Sequence, residues 1–255
     1  MHREDQRRLM GRFVALAAAY ESRVGQGREH IVLKRDHSLR VHALVSRIVA
    51  REDLSQPWIY RAAALLHDIG RFSQFERFGT FRDDRSVDHG SEGAQVLRTG
   101  NYLDALKPGE RQRIVQTVEL HNKRELPGSL DPLTRSMCEV VRDGDKLDIV
   151  PVVLSKMRPG GPRDPVVTLG LVDDAGAWTA SVLKIVERGA NPAYADLGYL
   201  NDFKLLLASW GPKLSLRASR QIFAARGHLE QIFATLPQTE RFACLKADLS
   251  HRLAV

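Results

Sequence analysis

The stretch AAALLHDIGRFSQF (62–75) ends an almost wholly apolar run with an imidazole and a carboxylate side by side, His67 and Asp68, and then turns at Gly70. A segment apolar nearly all round predicts a buried helix, so the pair ends inside the protein or on the floor of a cleft. Four more His or Asp residues fall on inward faces by helical spacing. His37 heads Val41, Leu44, Val45 and Ile48, and His89 is followed on its face by Gly93, Val96 and Leu97. His121 extends Ile114, Thr117 and Val118, and Asp145 extends Cys138 and Val141. Any one of them alone reads as a core histidine bonded to a backbone carbonyl. Together they bring Asp68 and Asp145 into an apolar interior, and buried carboxylates without a cation are strongly disfavoured. A bound metal resolves this. It neutralises both acids and takes neutral imidazoles as co-ligands.

Other residues are less informative. His42 lies beside Ser38 and Ser46 on a polar flank, as a surface histidine or one supporting a ligand. His2, His30, His228 and His251 have no partner motif and are expected to be exposed. Cys138 and Cys244 lack metal spacing and read as free core thiols. GRFSQF lacks the flanking glycines of a nucleophile elbow, so no serine chemistry competes. Gly93 lets another backbone come close to its helix.

Helical periodicity dominates the elements that must position these groups. It predicts helices near 4–22, 37–51, 57–69, 88–99, 109–122, 132–150, 179–188, 197–209, 216–235 and 238–252. Turn residues cluster at 24–27, 78–86, 125–132 and 157–165, the last being the best boundary. After it, VVTLGLVDDAGAWTASV reads as a loop entering a helix rather than a hairpin. The expectation is a single all-α domain over 1–255, with a metal-binding core at 30–150 and a helical extension at 151–255 packed on it. The stripe Ile222, Phe223, Leu229, Ile232 and Phe233 reads as core first and as a homodimer face second.

The bulk properties narrow the partners. The 255 residues are 43% hydrophobic and 27% charged, as in ordinary globular proteins. No run is apolar enough to span a membrane, and MHREDQRRLMGRF lacks a signal peptide's apolar stretch, so a cytoplasmic location is expected. The net charge of +7 favours anionic ligands. The basic residues are scattered and not interleaved with aromatics, which argues against nucleic acid.

The ordered set HSLRV (37–41), LLHDIGR (65–71) and DKLD (145–148) resembles the HD-domain superfamily of metal-dependent phosphohydrolases over roughly residues 30–150. DHGSEGA (88–94) and ELHN (119–122) sit where members with two metals carry extra histidines. The resemblance implies an all-α HD-domain helical bundle and a binuclear set of His37, His67, Asp68, His89, His121 and Asp145. Asp68 would bridge the ions, His37, His67 and Asp145 would serve the first, and His89 and His121 the second. The one-metal alternative keeps only the first group. His67 and Asp68 would be the catalytic pair. The donor set suits Mn, Fe, Co, Ni or Zn better than Mg.

Two ions about 3.5–4 Å apart can share a water, bring its pKa towards neutrality and aim the resulting hydroxide at phosphorus. The implied activity is hydrolysis of a phosphomonoester or phosphodiester of a nucleotide or small phosphate ester. Arg71, Lys123 and Lys146 are the expected phosphate-binding residues, with Arg82 and Arg85 on a substrate-facing loop and Asp148 orienting a ligand or capping its helix. Asn122 replaces the second histidine of the cyclic-di-GMP phosphodiesterase branch, and the Gly-Tyr-Pro motif is missing. The acidic pair of the stringent-response hydrolases is missing too, since Ile69-Gly70 follow the His-Asp pair. Two alternatives stay open: a di-iron oxygenase acting on a polyol or phosphonate, and a non-catalytic nucleotide sensor.

Overall fold

Pro57 and Pro108 each open a helix where a missing N–H costs nothing. Asp88 caps another by accepting from Ser91 N at 2.8 Å. Glu110 turns back to accept from Lys107 N at 3.1 Å. The computed structural model describes residues 3–157 and 163–254. Its chain contacts form two compact units, Met1–Asp148 and Ile149–Val255. The boundary expected at 157–165 falls largely on residues outside the described ones, as does His2.

The first unit contains α1 (Arg3–Arg23), α2 (Arg28–Arg51), α3 (Pro57–Leu66), α4 (Gly70–Phe78), α5 (His89–Thr99) and α6 (Pro108–Leu120), and most of α7 (Pro132–Lys156). The chain is all-α, as the periodicity predicts; among the described residues there is no strand. The helix predicted from 37 begins at Arg28. The one predicted over 57–69 stops at Leu66, and α4 follows after a tight turn in which Ile69 N bonds Leu66 O and Arg71 N bonds Asp68 O. Gly70 looks like a terminator in sequence, yet it starts α4 at a point of close packing. A Cβ there would lie 2.5 Å from Gly93 N. Gly90 is equally constrained, since a Cβ would lie 2.6 Å from Asn122 Oδ1. These glycines let α4, α5 and α6 meet backbone to backbone, as Gly93 suggested. The core between the helices is Phe13, Val41, Val45, Ile48, Leu66, Phe72, Leu97, Ile114, Val118 and Val141, all fully buried.

The second unit contains α8 (Ala180–Glu187), α9 (Leu200–Trp210), α10 (Arg217–Ala225), α11 (His228–Phe233) and α12 (Glu240–Ala254). The segment before α8 is a loop, as expected, joined to the start of α9 by one parallel bridge, Val172 to Tyr199. Asp202 holds this junction together. It accepts from Thr179 N at 2.7 Å, Thr179 Oγ1 at 2.6 Å, Gly198 N at 2.9 Å and Tyr199 N at 3.0 Å. The helix predicted over 216–235 is two helices, broken at Gly227, whose φ of +61° suits glycine. The stripe Ile222, Phe223, Leu229, Ile232 and Phe233 is core.

Three exposure expectations are corrected. His30 is buried, its ring 4.8 Å from Phe75 and 6.2 Å from Phe81. His228 is buried against Phe223 at 5.0 Å. In both cases aromatic surface from elsewhere in the chain covers an imidazole that has no neighbouring motif. Cys138 is a free buried thiol, but Cys244 is exposed, because α12 turns Phe242, Leu245, Leu249 and Leu253 inwards instead. His251 is exposed as expected. No described helix is long and apolar enough to cross a membrane.

Candidate metal centre

The buried run of α3 delivers His67 and Asp68 into the turn before α4, where neither is diluted by solvent. His37 reaches them from the inward face of α2, His89 from the first position of α5, His121 from the residue after α6, and Asp145 from α7. Five of these six residues are buried and Asp145 is half-buried. The structure brings all six together around Asp68. Its Oδ2 lies 3.6 Å from His37 Nε2 and 3.7 Å from His67 Nε2. Asp145 Oδ1 completes that side, 3.0 Å from His37 Nε2 and 3.6 Å from His67 Nε2. The other oxygen, Oδ1, lies 3.5 Å from His89 Nε2 and 3.7 Å from His121 Nε2.

The outer nitrogens determine what the inner ones can do. His67 Nδ1 donates to Ala64 O at 2.8 Å, and His121 Nδ1 donates to Val118 O at 2.7 Å. His37 Nδ1 donates to Asp148 Oδ2 at 2.7 Å, and His89 Nδ1 to Asp83 Oδ2 at 2.6 Å. A neutral imidazole with its proton on Nδ1 presents a lone pair at Nε2. Once His37 also gives up its Nε2 proton, four such lone pairs converge, with His37 and His67 Nε2 3.3 Å apart and His89 and His121 Nε2 3.1 Å apart. Lone pairs facing each other and two carboxylates repel unless a cation lies among them. Two groups, His37-His67-Asp145 and His67-Asp68-His121, each have ligand atoms within 4.8 Å of one another, a spacing that can hold a metal ion. The donor set therefore fits divalent metal ions, and the carbonyl and carboxylate partners outside it are those that orient metal-bound histidines.

The electrostatics agree. Burial opposes ionisation of Asp68, but Lys34, His67, His121 and Arg71 outweigh it and hold its carboxyl well below the usual range. Asp145 is likewise held low against burial by His37 and His67. Burial, with Arg71 nearby, pushes His89 down to about 3, so it is neutral. For His37, burial is outweighed by Asp145 and Asp148, and its pKa is raised.

The expected basic residues take different positions. Arg71 reaches the cluster, with Nε 3.4 Å from Asp68 Oδ1 and Nη1 3.0 Å from Asp83 Oδ1. Lys123 Nζ pairs with Asp88 Oδ2 at 2.5 Å, next to His89 in sequence. Lys146 is half-buried on α7, and burial lowers its pKa. Arg82 pairs with Asp84 at 2.7 Å. His42 stands off the cluster, half-buried, with its pKa lowered by burial and Arg61. Asp148 orients His37, as anticipated, and is itself gripped by Arg40 Nε and Nη2 at 2.8 and 3.0 Å.

Two residues at the site were not singled out from sequence. Lys34 Nζ lies 2.7 Å from Asp68 Oδ2. Its signal was its position three residues before His37, on the same helical face. Asp83 orients His89 and also accepts from Arg71, from Gln74 at 2.9 Å and from Asn122 at 3.1 Å. No spacing in the sequence marks it.

Comparison with protein-family models matches residues 35–150 to the model described as HD domain. Comparison with curated proteins and with solved structures gives no match.

Proposed function

Residues 35–150 are an HD domain, a fold of metal-dependent hydrolases, and from that premise we propose that the protein hydrolyses a phosphomonoester or phosphodiester bond in a nucleotide or small phosphate ester. The observation that carries this reading is the way Asp68 divides the cluster. One of its oxygens faces His37 and His67, which Asp145 also meets, and the other faces His89 and His121. A carboxylate shared in that way suits two divalent ions, each completed by imidazoles. The first group would hold one ion, the second group the other, and Asp68 both. Imidazoles and carboxylates without thiolate favour Mn, Fe, Co, Ni or Zn.

Bound there, such ions would supply Lewis acidity towards phosphoryl oxygens and towards a water. The chain itself supplies geometry and charge. Asp148 and Asp83 fix the His37 and His89 rings through their Nδ1 protons. Arg71, tied to Phe81 O at 2.6 Å and to Asp83, holds a guanidinium beside Asp68 that would meet a phosphate bound there. Lys123 and Lys146 are further candidates for drawing in the anion. Phosphoryl transfer needs positioning and charge neutralisation more than a protein nucleophile.

The test is elemental analysis of the purified protein, followed by a screen of phosphorylated compounds with each metal. Phosphate release with one transition metal and roughly two ions per chain is the expected result. Oxygen consumption by the iron-loaded protein with a polyol or phosphonate would replace the reading with an oxygenase. Tight nucleotide binding with no turnover in any metal would replace it with a sensor.

A further inference from the structure

Four cationic side chains lie at the edge of the cluster. Three have a carboxylate outside the proposed ligands: Arg40 has Asp148, Arg71 has Asp83, and Lys123 has Asp88. Lys34 differs. Among the described residues its carboxylate partner is Asp68, the acid whose two oxygens face the two nitrogen groups. An Asp68 carboxylate shared by two cations has little left for an ammonium. Lys34 has somewhere else to turn. Its Nζ lies 5.1 Å from the centre of the Phe81 ring, within cation–π range. The ring of Phe81 also lies 5.7 Å from the Arg71 guanidinium carbon. The Lys34 side chain is 15% exposed, so it is largely screened from water.

We propose that Lys34 binds a non-bridging oxygen of the substrate's phosphate and selects a dianionic phosphomonoester over a monoanionic diester. This rests on the phosphohydrolase reading above. Two divalent ions already exceed the charge of the two carboxylates facing them, Asp68 and Asp145. Lys34 adds a positive charge that Asp68, once shared, no longer offsets. A monoester, with close to two negative charges at neutral pH, balances that excess better than a diester with one. The Phe81 ring, packed on Phe75 at 5.2 Å, lies within reach of both the Lys34 ammonium and the Arg71 guanidinium.

The test uses the full chain loaded with Mn or Co, and the variants Lys34→Met and Lys34→Arg. Binding of inorganic phosphate is measured by calorimetry, and kcat/KM for p-nitrophenyl phosphate and bis-p-nitrophenyl phosphate by absorbance. Loss of one charge-assisted contact predicts that Lys34→Met weakens phosphate binding about tenfold or more. The monoester-to-diester ratio of kcat/KM falls by a similar factor, and Lys34→Arg restores part of both. Metal content and melting temperature, measured alongside, separate this from misfolding, and the arginine variant reports independently if the methionine variant is unstable. Phosphate binding to wild type that Lys34→Met leaves untouched overturns the proposal. So does an equal fall for the two esters, or a wild type that does not bind phosphate. If wild type binds phosphate, Lys34→Met does not, and neither ester is cleaved by any metal form, then the phosphate contact stands and the hydrolase reading falls.

Discussion

Asp148 Oδ2 accepts a hydrogen bond from His37 Nδ1 at 2.7 Å, across 111 residues of sequence. The contact fixes which nitrogen of His37 faces the cluster, and Arg40 holds the carboxylate in place from outside. Asp148→Ala frees the ring to change tautomer and to turn. Metal affinity is expected to fall about 10–100-fold, the usual cost of losing such a partner. Calorimetric titration of the metal-stripped protein checks this, and an unchanged affinity would show the contact to be idle.

His67→Ala and Asp68→Ala remove atoms from both sides of the cluster. Each is expected to abolish turnover and to lower bound metal measured by elemental analysis. His42→Ala serves as the contrast. His42 lies on the flank of α2 beside Arg61, not among the converging nitrogens, and its loss should leave bound metal and turnover nearly unchanged.

Metal binding should also release a proton. His37 has a raised pKa because Asp145 and Asp148 outweigh burial, and a ligand must give up the Nε2 proton first. Affinity therefore rises as pH climbs through that raised value and levels off above it. His89, neutral down to about 3, adds no dependence near neutrality. Calorimetry in buffers of different ionisation heat is expected to show roughly one proton released per chain near pH 6 as the metal site fills. A pH-independent affinity between pH 5 and 8, roughly the range in which histidines titrate, would contradict it.

The sequence made legible what periodicity can carry. His67 and Asp68 stood out because an apolar run ended in them. His37, His121 and Asp145 stood out because each extended an apolar stripe on a helix the structure contains. What escaped depended on contacts between distant elements. Asp83 orients His89 only because its loop folds back on the start of α5. Lys34 shares a face with His37, but a lysine on a helix flank reads as solvated until Asp68 is seen beside it. α4 was missed because Gly70 resembles a stop, and its small size answers to Gly93 on another helix rather than to its own chain.

That packing gives a stability prediction. At Gly70 a Cβ would meet the backbone at Gly93, which has no flexible end to swing away. Gly70→Ala must push α4 off α5, and overpacking of this kind costs about 1–3 kcal/mol or more. Urea denaturation of the metal-free protein should register it as a lower midpoint with an unchanged slope. Because the same turn carries Asp68 and the first residue of α5 is His89, metal affinity should fall as well. Gly128, where a Cβ meets nothing within 4 Å, is the control position.

Asp88 provides a test at acid pH. Lys123, Ser91 N and Asn122 stabilise its charged form against burial and bring its pKa down to about 2, from about 3.9 in the unfolded chain. A carboxylate depressed on folding adds stability that is fully present above the unfolded value and is lost as pH falls through the folded one. The loss attributable to Asp88 should therefore lie between about pH 4 and pH 2. The group is partly exposed, so solvent screening limits the effect to about 1 kcal/mol or less. Asp88→Asn keeps a helix cap but has no charge to lose. The variant should be less stable than wild type near neutrality, and the gap should close as the pH approaches 2, because only wild type gives up the Lys123 pair on the way down. Urea midpoints measured across this range decide the point. A gap that stays constant would mean that the charge of Asp88 contributes nothing and that only its hydrogen-bonding shape matters.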